Sequence, residues 1–453
     1  MMPGVPAMGE PVINDPRVTN DPRALLALEN MSTRQVIAVA LAVLLIALDG
    51  FDVLSISFAS PGIAKDWGID RTALGFVLSM EVIGMAIGSM MLGNVADRVG
   101  RRPTILVCLG VMAAGMFLAT TATGVKPMSI YRFITGVGIG GMLAATNAVV
   151  AEFANDRRRN LCVTLMAAGY PLGAVGGGII ATHLLAGGSW RAVFAFGALA
   201  TAACIPLVWW LLPESVSYLV QRQPRRALER VNQTLQRMGH RVVEALPTSD
   251  AASRRVGSWL RLFQPGLART TTLLTLAYFA HIMTFYFILK WIPKIVVDMG
   301  FEPSAAGGVL VWTNVGGASG ALVFSALTQR FGLKRLIIGS LLVTTVMVTV
   351  FGRSRPDLTQ LSLFAAITGF FCNAAIVCLY AMFAQSFSTA IRASGTGFVI
   401  GLGRGGAALG PIAAGYLFDA GATLPGVAAG MALGSLVAAG AILLLRYDEA
   451  RVV

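Results

Sequence analysis

The chain has 453 residues, of which 56% are hydrophobic and only 13% are charged. Soluble globular proteins carry about 25% charged residues, so this composition excludes an ordinary water-soluble protein of this length. The formal net charge of +13 would suit nucleic-acid binding, but the excess arginine is confined to a few loops between apolar runs, which is typical of membrane orientation.

Residues 1–33 are polar, and they lack the basic segment and short apolar core of a signal peptide. We expect them to form a disordered cytoplasmic tail. The apolar runs that follow are long enough to cross a hydrocarbon core, which takes roughly 20 residues per helix. The runs of the first half, spans 1 to 6, cover about 35–60, 72–95, 104–123, 127–151, 160–185 and 190–212.

A second set of apolar runs follows a long polar stretch. These runs, spans 7 to 12, cover about 270–296, 305–329, 334–352, 358–384, 393–418 and 424–446. Arginine is concentrated after the even-numbered spans, apart from Arg353 and Arg355, so the positive-inside rule places both termini in the cytoplasm. The predicted units are a tail (1–33), an N-terminal bundle (34–212), a cytoplasmic linker (213–269), a C-terminal bundle (270–446) and a second tail (447–453).

The two bundles contain an internal repeat. The segment that begins at Gly75 aligns without gaps with the segment that begins at Gly307, and both continue to an Arg-x-Gly sequence, at Arg98 and at Arg330. Parallel repeats with a cavity between them are typical of alternating-access transporters. The sequence therefore predicts an all-α membrane protein with twelve transmembrane helices in two pseudo-symmetric halves.

A dense motif lies between spans 2 and 3. Its defining residues are Gly93, Asp97, Arg98, Gly100, Arg101 and Arg102. We expect Gly93 to allow close helix packing and Gly100 to allow a tight turn. Asp97 should form an ion pair and accept hydrogen bonds at a neighbouring helix N-terminus. The two final arginines should hold the loop at the cytoplasmic face.

Ionisable side chains inside the spans mark a transport pathway, because each costs ~2.5–3.5 kcal/mol at the bilayer centre. Asp49 and Asp52 of span 1 are three residues apart and share one helix face. Two near carboxylates cannot both ionise cheaply, so one could carry a proton. Alternatively, one of them pairs structurally with Arg132 of span 4. Glu81 of span 2 is either a third member of this acidic cluster or a neutral, hydrogen-bonded core acid.

Arg404 of span 11 is the predicted ligand of a substrate anion, because a guanidinium offers a carboxylate two parallel hydrogen bonds. Arg132 is a second candidate, although a structural or gating role suits it better. Lys290 could bind the anion or extend to the membrane interface. Further candidate substrate contacts are Tyr170, Asn314 and, on one face of span 7, Tyr278, His281 and Phe285. The histidine could bind a carboxylate or relay a proton.

The five cysteines lie inside apolar runs without paired spacing, which favours free thiols over disulfides or a metal site. The sequence has no P-loop lysine, zinc-ligand spacing or nucleophile elbow. We therefore expect no cofactor, no metal and no enzymatic activity, and we expect transport driven by a proton gradient.

Five short motifs are spread over residues 35–446. They are Asp49-Gly-Phe-Asp52, the loop from Gly93 to Arg102, Arg132-Phe133, Pro213-Glu-Ser215, and Gly401-Leu-Gly-Arg404-Gly-Gly406. Together they resemble the aromatic acid:proton symporter family of the major facilitator superfamily. The resemblance implies the major facilitator fold, a bacterial inner-membrane location and import of benzoate-like carboxylates with protons.

The resemblance also assigns residues. It implies that Asp49 and Asp52 are linked to the proton and that Arg132 and Arg404 are essential. The acid at Glu81 departs from the family pattern, so coupling could run through it. Two other functions stay open: proton symport of a non-aromatic organic or sugar acid, and proton-driven export of drugs or metabolites. We expect a monomeric unit in the lipid bilayer, without a nucleic-acid partner.

Overall fold

Twelve helices of the described chain are long and apolar enough to cross a membrane. Apart from the side chains of Asn160 and Ala393, the computed structural model describes residues 21–247, 262–265, 267–328, 330–388 and 391–445. Much of the predicted tails and part of the linker lie outside these residues, so those assignments stay predictions.

The helices follow the predicted division into two sets of six. Spans 1 to 6 cover Thr33–Trp67, Arg71–Val99, Arg101–Thr120, Val125–Phe153, Arg159–Ala186 and Arg191–Leu211. Spans 7 to 12 cover Ala268–Asp298, Pro303–Leu327, Leu333–Phe351, Leu358–Ser386, Arg392–Asp419 and Leu424–Leu444. The described part of the linker adds Val216–Arg222 and Ala227–Arg237. The prediction of an all-α protein with twelve spans is confirmed.

The bundle has two ends, which we name by what they carry. The linker end holds the loop between spans 2 and 3 together with the linker. The distal end is the opposite one, where spans 2 and 8 begin. Consecutive spans run in opposite directions, so odd-numbered spans begin at the linker end.

Close helix packing repeats in the two halves. A Cβ atom placed on Gly84 of span 2 would lie 2.2 Å from the carbonyl oxygen of Phe133 in span 4. The corresponding atom on Gly316 of span 8 would lie 1.9 Å from the carbonyl oxygen of Ala366 in span 10. Small residues let two backbones meet in this way inside a membrane. The repeat found in the sequence is therefore also a repeat of helix pairs.

Span 1 continues to Trp67, beyond its predicted boundary at 60. Pro61 lies inside the helix and has no N–H to donate to the carbonyl of Ser57. The hydroxyl of Ser60 donates to that carbonyl at 2.8 Å instead. The proline therefore does not end the helix.

The predicted N-terminal tail is also shorter than expected. Residues Pro22–Leu28 form a helix, whose N-cap residue Asp21 accepts a hydrogen bond from the backbone N–H of Arg23 at 2.9 Å. Leu25 and Leu26 of this helix are buried. The burial of these two leucines corrects the expectation that the segment is disordered.

The close approach of spans 2 and 4 predicts a selective effect of one methyl group. We expect Gly84→Ala to destabilise the purified protein by about 1–3 kcal/mol, because the added Cβ must displace the backbone of Phe133. Thermal aggregation in detergent measures this loss. Gly110→Ala in span 3 is the matched control, since a Cβ there meets no atom within 4 Å. Equal melting temperatures of the two variants would contradict the packing assigned to Gly84.

Candidate functional site

A cluster of buried charges joins the two halves in the distal part of the bundle. The carboxylate of Glu81 forms an ion pair with Arg132, and its second oxygen lies 3.4 Å from the Lys290 ammonium of span 7. All three side chains are 0% exposed. Arg132 also donates to the backbone carbonyl of Asp52 at 2.8 Å, and Lys290 donates to that of Val53. One carboxylate thus links spans 2, 4 and 7.

The two aspartates of span 1 lie in the same buried region. Asp52 accepts a hydrogen bond from Thr201 at 3.5 Å through one carboxylate oxygen. Neither oxygen of Asp49 has a hydrogen-bond partner among the described residues, although the residue is only 2% exposed. A buried carboxylate is tolerated when it is paired or neutral. Asp49 is therefore the acid of this cluster best suited to hold a proton.

These contacts bear on alternatives that the sequence left open for three charged residues. The ion-pair partner of Arg132 is Glu81, and not one of the span 1 aspartates. Glu81 lies between the two cations Arg132 and Lys290, which favours its place in the acidic cluster. Lys290 does not extend to the interface, because its helix continues for eight more residues, or about 12 Å, to Asp298.

A cavity of about 740 Å³ opens at the linker end between the two halves. Arg404 lies at its inner end, and the exposed Arg392 lies where span 11 begins, so one helix places two cations along it. The lining comprises Ala86, Ser89, Met90, Ala384, Arg392, Thr396, Gly397, Ile400, Gly401 and Arg404. Since this lining contains no acid, the cavity favours anions.

Arg404 reaches across from the C-terminal half to span 2. Its Nη1 atom donates to the hydroxyl of Ser89 at 2.6 Å and to the carbonyl of Met85 at 3.0 Å. No carboxylate among the described residues lies within 4.0 Å of it. Since both bonds use Nη1, the Nη2 edge of the guanidinium has no partner in the described chain. That edge can accept a carboxylate.

Several tyrosines lie in the neighbourhood of Arg404. The guanidinium is close enough to interact electrostatically with Tyr278, Tyr286 and Tyr380. The Tyr278 and Tyr380 hydroxyls lie 2.9 Å apart, and Tyr170 contributes from the N-terminal half, within electrostatic range of Tyr286. Tyr286, Tyr380 and Ser89 were missed by the sequence analysis. Tyr286 and Ser89 follow Tyr278 and Glu81 by about two helical turns. Tyr380 lies on span 10, which holds none of the predicted site residues, and its position becomes informative only once the helix pairs are known.

Other predicted contacts face away from the cavity. His281 is 0% exposed, and its ring nitrogens lie 2.9 Å from the hydroxyl of Ser435 and 3.0 Å from the carbonyl of Cys372. Both nitrogens are therefore occupied within the C-terminal half, which corrects the predicted role in binding or proton relay. Asn314 is 6% exposed and donates to Leu310 of its own helix at 2.9 Å.

Phe285 stays a candidate for contact with an aromatic ring. It is half-buried, and its ring packs edge-on against Tyr286 at 5.6 Å between centroids. Tyr278 is 4% exposed and packs edge-on against Phe383 at 5.5 Å. The three residues predicted to share one face of span 7 therefore have different surroundings. Tyr278 and Phe285 pack against aromatic rings, whereas His281 bonds within the C-terminal bundle.

The motif between spans 2 and 3 is held in place by the carboxylate of Glu214, a residue of the linker outside the motif. Glu214 accepts the backbone N–H groups of Arg101 and Ser215, each at 2.9 Å. Gly100 makes the predicted tight turn with φ of 117°. Asp97 pairs with Arg101 at 3.1 Å. We expected it also to accept hydrogen bonds at a neighbouring helix N-terminus, and among the described residues it does not. The cap is Glu214, because the start of span 3 faces the linker.

The remaining motif residues fix the loop to the linker in different ways. The backbone carbonyl of Arg98 accepts the Tyr218 hydroxyl at 3.2 Å. Arg102 donates to the carbonyl of Trp209 and lies over that indole ring, 5.2 Å from its centroid. A Cβ on Gly93 would make only an ordinary contact at 3.6 Å, so the expectation of close packing there is wrong.

The distal end is closed by contacts between the halves. Asp419 at the end of span 11 accepts the backbone N–H groups of Arg71 and Thr72 at 3.1 and 2.6 Å, which caps the start of span 2. The Arg71 guanidinium lies 3.0 Å from Asp298 of span 7. The molecule is therefore closed at the distal end and open at the linker end.

The fold matches that of known transporters. The family model described as Major Facilitator Superfamily matches residues 42–312 and 274–452. The fold also matches the crystal structure of a D-xylose-proton symporter with a TM-score of 0.70, at 16% identity over 92% of this chain and 98% of that one. The nucleoside transporter NupG gives 0.68, at 15% identity over 92% and 100%. The chain belongs to the Major Facilitator Superfamily.

Its relatives narrow the class further. A gallate transporter of Pseudomonas putida is 28% identical over 90% of this chain and 91% of its own length. The 4-hydroxybenzoate transporter PcaK of Acinetobacter baylyi is 29% identical over 87% of each chain. The 3-(3-hydroxy-phenyl)propionate transporter of Escherichia coli is 29% identical over 93% and 96%. The resemblance to transporters of aromatic acids is confirmed, and the chain is a multi-pass transport protein and not an enzyme.

The cap that Asp419 forms predicts a shift between conformations. We expect Asp419→Ala to weaken distal closure by about 1 kcal/mol, or roughly fivefold in population, because two N–H groups of span 2 lose their acceptor. A cysteine introduced at the buried Leu74 should then react faster with an impermeant maleimide. Asp357→Ala is the control, since Asp357 caps Gln360 within one half. An equal increase in both variants would contradict the assignment.

Proposed function

We propose that this protein imports an aromatic carboxylate together with protons by alternating access. The carrying observation is Arg404, a cation with an unpartnered guanidinium edge at the inner end of a cavity between the halves. The cavity volume of about 740 Å³ falls in the range of small-molecule sites. The names of the relatives support an aromatic carboxylate as the substrate.

The proposed binding mode follows from the groups around Arg404. The substrate carboxylate accepts two hydrogen bonds from the free guanidinium edge. Its ring then lies among the aromatic side chains Tyr170, Phe285, Tyr286 and Tyr380, which offer both stacking surfaces and hydroxyl groups. Arg392 raises the local anion concentration at the mouth of the cavity.

The charge cluster supports proton coupling. The acids Asp49, Asp52 and Glu81 face two cations, Arg132 and Lys290, so the cluster is neutral when one acid is protonated. Opening of the distal end separates span 7 from spans 1 and 2, and it therefore withdraws Lys290 from Glu81. A proton that enters from the distal side and binds Asp49 compensates for the positive charge withdrawn from the cluster. Closure returns the lysine, and the proton leaves on the linker side.

The orientation supports import. The basic loops between spans 2 and 3 and in the linker place the linker end in the cytoplasm by the positive-inside rule. We assign the protein to a bacterial inner membrane on the basis of its bacterial relatives. One chain contains the cavity, the buried charge cluster and the contacts that close the distal end, so a monomer is the proposed functional unit.

Uptake by proteoliposomes tests this function. Radiolabelled 4-hydroxybenzoate, gallate or benzoate should accumulate when the external pH is lower than the internal pH. Unlabelled sugar acids should not compete, whereas competition by them would favour the non-aromatic alternative. Substrate that leaves as protons enter would establish an exporter. No movement of any of these acids under any imposed pH gradient would overturn the proposal.

Arg404→Lys tests the substrate ligand. The lysine keeps the charge but loses the planar pair of donors, so we expect apparent affinity to fall about tenfold, near the lower end of the ~1.5–3 kcal/mol typical of hydrogen bonds to charged groups. Ser89→Ala is the control, because it removes a contact of Nη1 and leaves the free edge intact. Wild-type affinity in Arg404→Lys would remove this residue from the binding site.

Asp49→Asn tests the proton site. The amide has nearly the shape of the acid but cannot exchange a proton, so uptake should no longer respond to an imposed pH gradient. Counterflow exchange of labelled and unlabelled substrate should persist, which shows that the variant is folded and binds substrate. If Asp49→Asn keeps the wild-type pH response and Asp52→Asn loses it, the coupling site is Asp52.

A further inference from the structure

A small basic pocket lies at the linker end, on the N-terminal half and away from the transport cavity. Three arginines line it: Arg34 at the start of span 1, Arg102 at the start of span 3, and Arg237 at the end of the linker helix. Trp209 and Trp210, near the end of span 6, form another wall. Four separate elements thus converge on one place.

The charges of this pocket are not neutralised by the protein. Arg34 and Arg237 are exposed, and neither has an acid within 4.0 Å in the described part of the chain. Arg102 is held by the carbonyl and ring of Trp209, which fixes its direction without cancelling its charge. Three guanidinium groups without carboxylate partners make an anion site.

The position of the pocket identifies the kind of anion. Trp209 and Trp210 are 60% and 78% exposed at the end of a membrane-spanning helix. Tryptophan is enriched at the level of lipid headgroups, where its ring contacts the acyl boundary and its N–H stays polar. Arg34 and Arg102 lie at the starts of spans 1 and 3 and line the same pocket as the two tryptophans. A ligand here has a phosphate on its polar side and hydrocarbon on the other.

The C-terminal half supplies an internal comparison. At its equivalent corner, Lys334 of span 9 donates to the carbonyls of Leu443 and Leu445 at 3.0 and 2.7 Å. Arg269 at the start of span 7 donates to the carbonyl of Leu444 at 3.1 Å. Both cations are therefore bound to backbone at the end of span 12, and leucines stand where span 6 has tryptophans. The N-terminal corner differs by leaving guanidinium groups available.

We propose that this pocket binds the headgroup phosphate of an anionic phospholipid such as phosphatidylglycerol. The arginines donate to the phosphate oxygens. The glycerol region lies against the two indole rings, and the acyl chains follow the lipid-facing surface of spans 3 and 6. A bound lipid joins the start of span 1, the start of span 3 and the linker helix, so it steadies the linker against the N-terminal bundle. The proposal does not depend on the transported substrate.

Native mass spectrometry of the full-length protein tests the site. Detergent-purified protein is mixed with phosphatidylglycerol or with phosphatidylcholine, and the retained lipid is counted. The double variant Arg34→Gln/Arg237→Gln should bind the first phosphatidylglycerol at least tenfold more weakly than wild type. The control variant Arg226→Gln/Arg230→Gln removes two exposed charges from the same linker outside the pocket. It should retain wild-type affinity.

Two further measurements distinguish a phospholipid from free phosphate and control for misfolding of the variants. Inorganic phosphate at the same concentration should not displace the lipid, and displacement by it would overturn the assignment to a phospholipid. Equal losses in the two double variants, or equal retention of both lipids by wild type, would also overturn the proposal. If the double variant aggregates, Arg34→Gln alone, whose guanidinium makes no ion pair in the described chain, gives the same comparison.

Discussion

Glu81 is the constraint on which the arrangement of the two halves depends. Its carboxylate is fully buried, so it must be paired, and the structure pairs it with one cation from each half, Arg132 and Lys290. An ion in a low-dielectric interior is stable only if its partners stay in place. On the proposed function, the halves therefore do not separate at the distal end without a change in charge at this point. Such a constraint makes the movement of the halves depend on the movement of a proton.

The symmetry of the backbone makes the asymmetry of the chemistry visible. A Cβ on Gly136 would lie 2.0 Å from the carbonyl of Glu81, and one on Gly369 would lie 2.0 Å from that of Thr313. These two helix contacts are equivalent, yet the first half has an acid where the second has a threonine. Among the described residues, the acids buried inside the spans are thus collected in the N-terminal half, and Lys290 reaches Glu81 from the other half. A relative motion of the two halves at the distal end would therefore separate the charges of Lys290 and Glu81.

The fold could be predicted from the sequence because each membrane-spanning helix corresponds to a long apolar run. The repeat was also predictable, and Asp49 and Arg404 could be selected as candidates because charges that interrupt such runs are easy to recognise. The ion-pair partners of these charges could not be predicted from the sequence. Lys290, for example, is next to a tryptophan and looks like an interface residue until the length of its helix is known. Glu214 likewise takes the capping role expected of Asp97 because the linker folds back onto span 3, which no local pattern encodes.

The two ends of the bundle differ in what their charges connect. Glu214 and Arg101 at the linker end join parts of the N-terminal half to the linker, whereas Asp419 at the distal end joins the halves themselves. Because Arg404 lines the cavity at the linker end, the proposed alternating access would bury its free edge when that end closes. A guanidinium edge without an anion is expensive to bury, so on this proposal an empty site resists closure. On the proposed function, the substrate carboxylate removes that cost, and the same arginine that binds the substrate makes the return of the carrier depend on it.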